Sequence, residues 1–289
     1  MSDTSSPGTG ESLGIGGIIG DAFGLTFKNF WGMLALIILP VIIMAASGYL
    51  LMGNAIVTMM IDPVGAQNMM ADSSFLISYI AWIVIMILAF SFFYAAAIKL
   101  IFDAKIGGSG GIGGAISAGL AGMVRLFVMY LVLMILFAII YFIVALVLGV
   151  VVGALGSPAL GIVVGIAVLI FFLWLYGMFA PFPAIVCVEN QWFGAIGRSV
   201  GLTKGYRWPI LGCIVVFVLA LIIVYLAIGL VAYVASLLGM IGLVLTVIVG
   251  IFGMVIIYGS GVALLTLIYA RLREIKEGTS MESLAEIFS

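Results

Sequence analysis

The chain has 289 residues, of which 66% are hydrophobic and only 7% charged, with a net charge of −1 and a mean hydropathy of +1.47. A soluble domain carries about 25% charged residues, so a water-facing globular surface is excluded and most of this surface must face lipid. Histidine is absent, which removes His-ligated metals, Ser-His-Asp triads and histidine general bases; there is no basic arm for nucleic acid.

Met1 to Ser12 are polar and contain no Lys or Arg. That is unlike a secretory signal, which needs a basic start before its apolar run, and residues 1–12 read as a disordered cytoplasmic tail. In residues 13–30, Ile15, Ile18, Ile19, Phe23, Phe27 and Phe30 recur at spacings of three and four. Such a pattern predicts a helix lying in the membrane interface. Trp31 marks its end. A first span follows over 32–52, with Pro40 expected to kink it.

Residues 53–74 hold Asp62 and Asp72 but no cation, and read as an outer loop. The second span covers 75–102. Lys99 and Asp103 stand four apart at its end, where an exposed pair contributes about 0.3–0.5 kcal/mol. A glycine-rich loop over 105–114 leads to a second amphipathic stretch ending at Arg125. The third span covers 126–155, an uncharged turn lies at 156–158, and the fourth span covers 160–188. Pro181 and Pro183 should break that helix near its inner end.

Residues 189–210 are the best-marked amphipathic stretch. They hold Glu189, Arg198, Lys204 and Arg207, bracketed by Trp192 and Trp208. The fifth span covers 208–238 and the sixth 242–270, with Gly239 and Gly242 at the turn. A cytoplasmic tail over 271–289 opens with Arg271, Arg273 and Lys276 and closes on a short amphipathic segment, 281–288. Cys187 and Cys213 read as small apolar packing residues, without a disulfide.

The reading is thus an all-α integral membrane protein with six transmembrane helices. All ten cations, Lys28, Lys99, Lys105, Arg125, Arg198, Lys204, Arg207, Arg271, Arg273 and Lys276, fall on one side of it. The positive-inside rule puts that side, and both termini, in the cytoplasm.

Three copies of one unit are also legible: interfacial elbow helix, outward span, inward span, over about 13–102, 103–188 and 189–270. A shift of 97 places Gly14-Ile15-Gly16-Gly17 on Gly111-Ile112-Gly113-Gly114 and Lys28 on Arg125. A shift of 177 places Gly24-Leu25-Thr26 on Gly201-Leu202-Thr203 and Trp31 on Trp208. Three parallel copies predict pseudo-threefold packing, unlike the inverted repeats of many transporters.

Two short matches carry no chemistry. Gly107 to Gly111 fits a nucleophile elbow, which needs a strand and a histidine base. Gly108 to Gly113 fits a dinucleotide fingerprint, which needs a preceding strand and a following acid. No Asp, Glu, Lys or Arg falls in the middle of a span, where ion-coupled transporters generally place them. Tyr94, Tyr130, Tyr141, Tyr225, Tyr258 and Ser260 supply hydroxyls, expected to bond each other or helix backbones. The pairs Gly149/Gly153 and Gly161/Gly165 predict close helix approach inside the bundle. No cofactor or metal site is expected.

Arg198, Lys204 and Arg207 have two readings. One is topology and snorkelling contact with headgroups; the other is a pocket for an anionic headgroup or a cytoplasmic partner. Glu189 would pair with Arg198 or Lys204 and pin the elbow, with Trp192 and Trp208 at the interface.

The motifs Pro183-Ala-Ile-Val-Cys-Val-Glu189, Ala195-Ile-Gly-Arg198-Ser199, Leu202-Thr203-Lys204-Gly205 with Trp208, and Tyr269-Ala-Arg271-Leu-Arg273 resemble a bacterial six-span family. It is the family named for the membrane domain of glycerophosphoryl diester phosphodiesterases. The resemblance covers about residues 13–278 and implies the six-span fold with interfacial helices. It implies no catalysis, because the soluble hydrolase domain of the fused members has no counterpart here. The expectation is a non-enzymatic protein of the bacterial inner membrane that engages membrane lipids or another membrane protein or complex. The alternative is a transporter or channel for a small or apolar solute.

Overall fold

The computed structural model describes residues 12–53, 55, 69, 72–106, 111–155 and 157–278. The expected tail over 1–11, most of the expected outer loop, the glycine-rich residues 107–110, Gly156 and the closing segment 279–289 lie outside the described residues. Among those described there is no strand. In lipid every backbone N–H and C=O must be satisfied within the chain, and an uninterrupted apolar helix does this locally.

Two helices open the chain, α1 (Ile15–Lys28) and α2 (Phe30–Met52). Asn29 separates them: its backbone N–H and its Nδ2 both donate to the Leu25 carbonyl, at 3.1 and 2.9 Å. Then come α3 (Ser73–Ile106) and α4 (Gly111–Leu155), followed by α5 (Pro158–Phe179), α6 (Phe182–Val188), α7 (Gly194–Leu202), α8 (Arg207–Ser236) and α9 (Gly239–Glu277). Among the described residues, six segments are long and apolar enough to cross a membrane: α2, α3, α4, α5 with α6, α8 and α9.

The expected break at Pro181 and Pro183 is present, between α5 and α6. Interrupting a helix in lipid frees carbonyls that need donors. Here the Ser199 hydroxyl donates to the Met178 carbonyl at 2.8 Å and Thr203 donates to it at 3.3 Å. Pro40, by contrast, does not end α2. At the α8–α9 turn, Gly239 has φ +63, and a Cβ on Gly242 would fall 2.0 Å from the Ala235 carbonyl oxygen; only glycine fits there.

Three expectations need correction. The second amphipathic stretch is not a separate elbow: α4 runs unbroken from Gly111 to Leu155. The residue 97 places after Asn29 is Leu126, a good helix former with no side-chain oxygen or amide to stop the helix. Second, the helix expected to close the sixth span at residue 270 runs on through residues 271–277. They continue α9, which ends at Gly278 in the left-handed region with its N–H bonded to the Glu274 carbonyl at 3.0 Å. Third, a Cβ on Gly149, Gly153 or Gly165 would meet nothing within 4 Å, and one on Gly161 would meet only Val152, at an ordinary 3.6 Å. The tight approach is instead between α3 and α4, where a Cβ on Gly119 would sit 2.8 Å from Phe92 and 2.9 Å from Ala96. These positions lie in the half of the bundle where the core is concentrated, around Phe93, Ile101, Leu126, Phe182, Ile210 and Tyr269.

The helices that close each expected unit, α3, α6 at the end of the fourth span, and α9, all touch one another. Each amphipathic stretch packs on a long apolar segment outside its own expected unit: α1 on α9, the start of α4 on α3, and α7 on α5 and α6. Burial follows the 177-residue shift. Ile18, Ala22, Thr26, Met33, Leu36 and Ile37 are buried, and so are Ala195, Ser199, Thr203, Ile210, Cys213 and Ile214. Thr26 donates to the Ala22 carbonyl at 2.8 Å, and Thr203 to the Ser199 carbonyl at 2.9 Å.

Candidate functional site

Helix α6 ends at Glu189, and Asn190 follows with φ 53. Asparagine tolerates this left-handed conformation better than most residues. The sharp turn brings Glu189 back against α7 and α9. Arg125 of α4 holds the turn from the other side, donating from Nη1 to Asn190 Oδ1 and, at 3.4 Å, to the Val186 carbonyl. Its guanidinium lies 5.8 Å from the centre of the Trp192 ring. A cation at the last carbonyls of α6 is well placed against the negative end of the helix dipole.

Glu189 is 13% exposed and accepts from four groups. Arg198 Nε donates at 3.0 Å and Arg198 Nη2 at 3.1 Å, forming a fork across both carboxylate oxygens. The Tyr269 hydroxyl donates at 2.9 Å and Gln191 Nε2 at 3.2 Å. Arg198 also reaches Glu277, with Nη1 at 2.5 Å from Oε1. Arg273 bonds Glu277 at 2.9 Å and donates to the Tyr269 oxygen at 3.0 Å. The hydrogen bond to Glu277, and the Glu189 carboxylate beside it, hold the Arg198 guanidinium still further above its already high range. The same contact with Arg198 holds the Glu277 carboxyl below the usual carboxylate range.

Lys276 completes this staple. Its ammonium donates to the carbonyls of Gly201 and Lys204 at 3.1 and 2.6 Å, capping the C-terminal end of α7. Partial burial, with Lys204 and Arg207 nearby, lowers its proton affinity. Elsewhere on this side Lys105 pairs with Asp21 of α1 at 2.6 Å and Lys99 with Asp103 at 2.9 Å. The latter pair is more sheltered than expected, since Asp103 is buried.

The structure therefore divides the sequence-derived candidates. Glu189 and Arg198 meet as expected, with Arg198 committed to two carboxylates. Lys204 and Arg207 do not join them. Arg207 lies 4.5 Å from the centre of the Trp174 ring, tying α8 to α5, and its Nε is buried without a hydrogen-bond partner. Trp192 and Trp208 are exposed, at 45% and 62%. Tyr269, Arg273, Lys276, Glu277 and Arg125 were not singled out as partners. Tyr269, Arg273 and Glu277 do share one face by their spacing of four, but an expected helix end at residue 270 separates Tyr269 from the other two.

Among the described residues, no group of three Cys, Asp or Glu side chains is arranged to hold a metal ion. Lys28, Arg125, Lys204, Arg207 and Lys276 have no carboxylate partner there. Comparison with protein-family models, with curated proteins and with solved structures finds no match to this chain.

Proposed function

We propose that this is a non-enzymatic, multi-pass protein of a bacterial inner membrane that engages anionic lipid headgroups at its cation-rich, cytoplasmic end. The observation that carries the reading is the set of cations without a carboxylate partner among the described residues, with Lys204 and Arg207 within four residues of exposed Trp208 in the chain. Tryptophan favours the headgroup level, and each Lys or Arg near an anionic membrane surface contributes about 1 kcal/mol. The paired network of Glu189, Arg198, Arg273 and Glu277 holds α6, α7 and α9 in place behind it.

The positive-inside rule supports the cytoplasmic placement of this end and of both termini. The matched burial 177 residues apart and the unit-to-unit contacts support three units of one kind. The resemblance in residues 183–208 supports grouping the chain with the six-span family named above.

The test is extraction into native-lipid polymer discs and mass spectrometry of the bound lipid, for the natural chain and for Lys204→Gln with Arg207→Gln. Removing two cations should lower the enrichment of anionic over zwitterionic lipid roughly ten- to thirtyfold, at about 1 kcal/mol each. Unchanged enrichment in a correctly inserted variant refutes the lipid reading. A stoichiometric protein companion, lost from the variant, would reassign the surface to partner binding.

A further inference from the structure

Tyr94, Tyr176 and Tyr258 stand 82 residues apart in the chain. One lies on α3, one on α5 and one on α9, the inward spans of the three expected units. Two cavities meet at Tyr94. One, of about 290 Å³, is lined by Tyr94, Tyr130, Tyr176, Leu133 and Pro183 among others. The other, of about 470 Å³, is lined by Tyr94, Tyr258, Tyr79, Trp82 and their neighbours. Sites for small molecules occupy about 300–1,000 Å³, so the two together have room for more than water.

None of the four hydroxyls, on Tyr94, Tyr130, Tyr176 and Tyr258, has a hydrogen-bond partner among the described residues. The expectation that these hydroxyls bond each other or helix backbones holds for Ser260, which donates to the Ile256 carbonyl, but not for them. Tyr94 and Tyr130 pack ring edge to ring face, with centroids 6.1 Å apart, which fixes the rings and leaves the hydroxyls unused. An unpaired hydroxyl is costly in a hydrocarbon setting. Tyr94 and Tyr130, both partly buried on the smaller cavity, therefore call for an acceptor that enters from outside, with the more exposed Tyr176 and Tyr258 at the edges of the two cavities. No charged residue lines either cavity, so a carboxylate or phosphate would be buried there without a counter-charge. The remaining lining is aliphatic and aromatic, which suits a chain.

We propose that these cavities bind a membrane-dissolved neutral molecule, an apolar chain bearing a carbonyl oxygen that accepts hydrogen bonds from the tyrosine hydroxyls. Glycerolipid acyl esters and prenylated quinones share this chemistry. The inference does not depend on the headgroup reading, which concerns Lys204 and Arg207 at the charged end.

The purified, delipidated protein should be titrated in neutral detergent with 1-monooleoylglycerol, with a decyl-substituted benzoquinone, and with hexadecane, which has no acceptor. Native mass spectrometry reads the bound fraction. Tyr94→Phe with Tyr130→Phe keeps the rings and removes two hydroxyls. At least one carbonyl probe should weaken roughly five- to hundredfold, the range for two hydrogen bonds lost, while hexadecane is unchanged. The probe that responds identifies ester or quinone as the source. Leu133→Trp, which fills the smaller cavity, should reduce every probe while leaving anionic-lipid enrichment at Lys204 and Arg207 intact. Equal affinities of natural and double-Phe chains for both carbonyl probes overturn the proposal. So does the absence of saturable binding, which would leave the hydroxyls to water.

Discussion

Glu189 can be tested as the residue that holds the charged end together. Glu189→Gln keeps the shape and removes the charge. The fork from Arg198, at 3.0 and 3.1 Å, and the hydrogen bond from Tyr269, at 2.9 Å, all lose their ionic acceptor. Hydrogen bonds to a charged group contribute about 1.5–3 kcal/mol, against about 0–1 for an exposed surface pair. With Glu189 13% and Arg198 30% exposed, the site lies between a surface pair and a buried one. Breaking a fully buried pair costs about 3–5 kcal/mol, but Arg198 and Arg273 both keep Glu277, which places the expected loss at about 1.5–3 kcal/mol. The assay is reversible unfolding in mixed micelles by added SDS, followed by circular dichroism. A cycle with Tyr269→Phe should show a coupling of about 1 kcal/mol, within the range for side chains in one network. A Glu189→Gln chain within about 0.5 kcal/mol of the natural one, with effects additive to Tyr269→Phe, would refute the argument.

Lys276→Met should uncap α7 and speed amide exchange over Gly194–Leu202, at a cost of about 0.5–1 kcal/mol, read by hydrogen–deuterium exchange. Because Arg198 depresses the Glu277 carboxyl in the folded protein, that group's contribution is complete above its unfolded value of about 4.3 and is lost as pH falls through the lower folded value. The melting temperature should therefore drop below about pH 4, and Glu277→Gln should flatten that drop. Gly119→Val should destabilise by about 1–3 kcal/mol through overpacking against Phe92 and Ala96, whereas Gly149→Ala, facing open space, should be neutral or gain up to about 1 kcal/mol in helix propensity; thermal unfolding in detergent reads both.

What the sequence made legible follows the range of the forces involved. Apolar run length is set by bilayer thickness, and proline acts on the turn that contains it, so six spans and the break at Pro181 and Pro183 could be read directly. The pairing of Glu189 with Arg198 needs only nine residues of separation and one turn. Tyr269 and Glu277, by contrast, lie about 80 residues away from Glu189, and nothing local announces that their helix returns to it. The same limit explains the elbows. Asn29 stops α1 by taking the Leu25 carbonyl, and Gly205, with φ +88, helps end the third stretch. From Met123 to Leu148, the stretch around Arg125, there is no Asn, Gly, Ser, Thr or Pro, so an amphipathic pattern that ends at Arg125 does not end the helix. Amphipathicity determines which face is buried, while a stop requires a residue that offers the backbone another partner or another conformation. The glycines divide in the same way: Gly149 and Gly119 look alike in sequence, and only the arrival of Phe92 and Ala96 from α3 makes one a contact and leaves the other in the open.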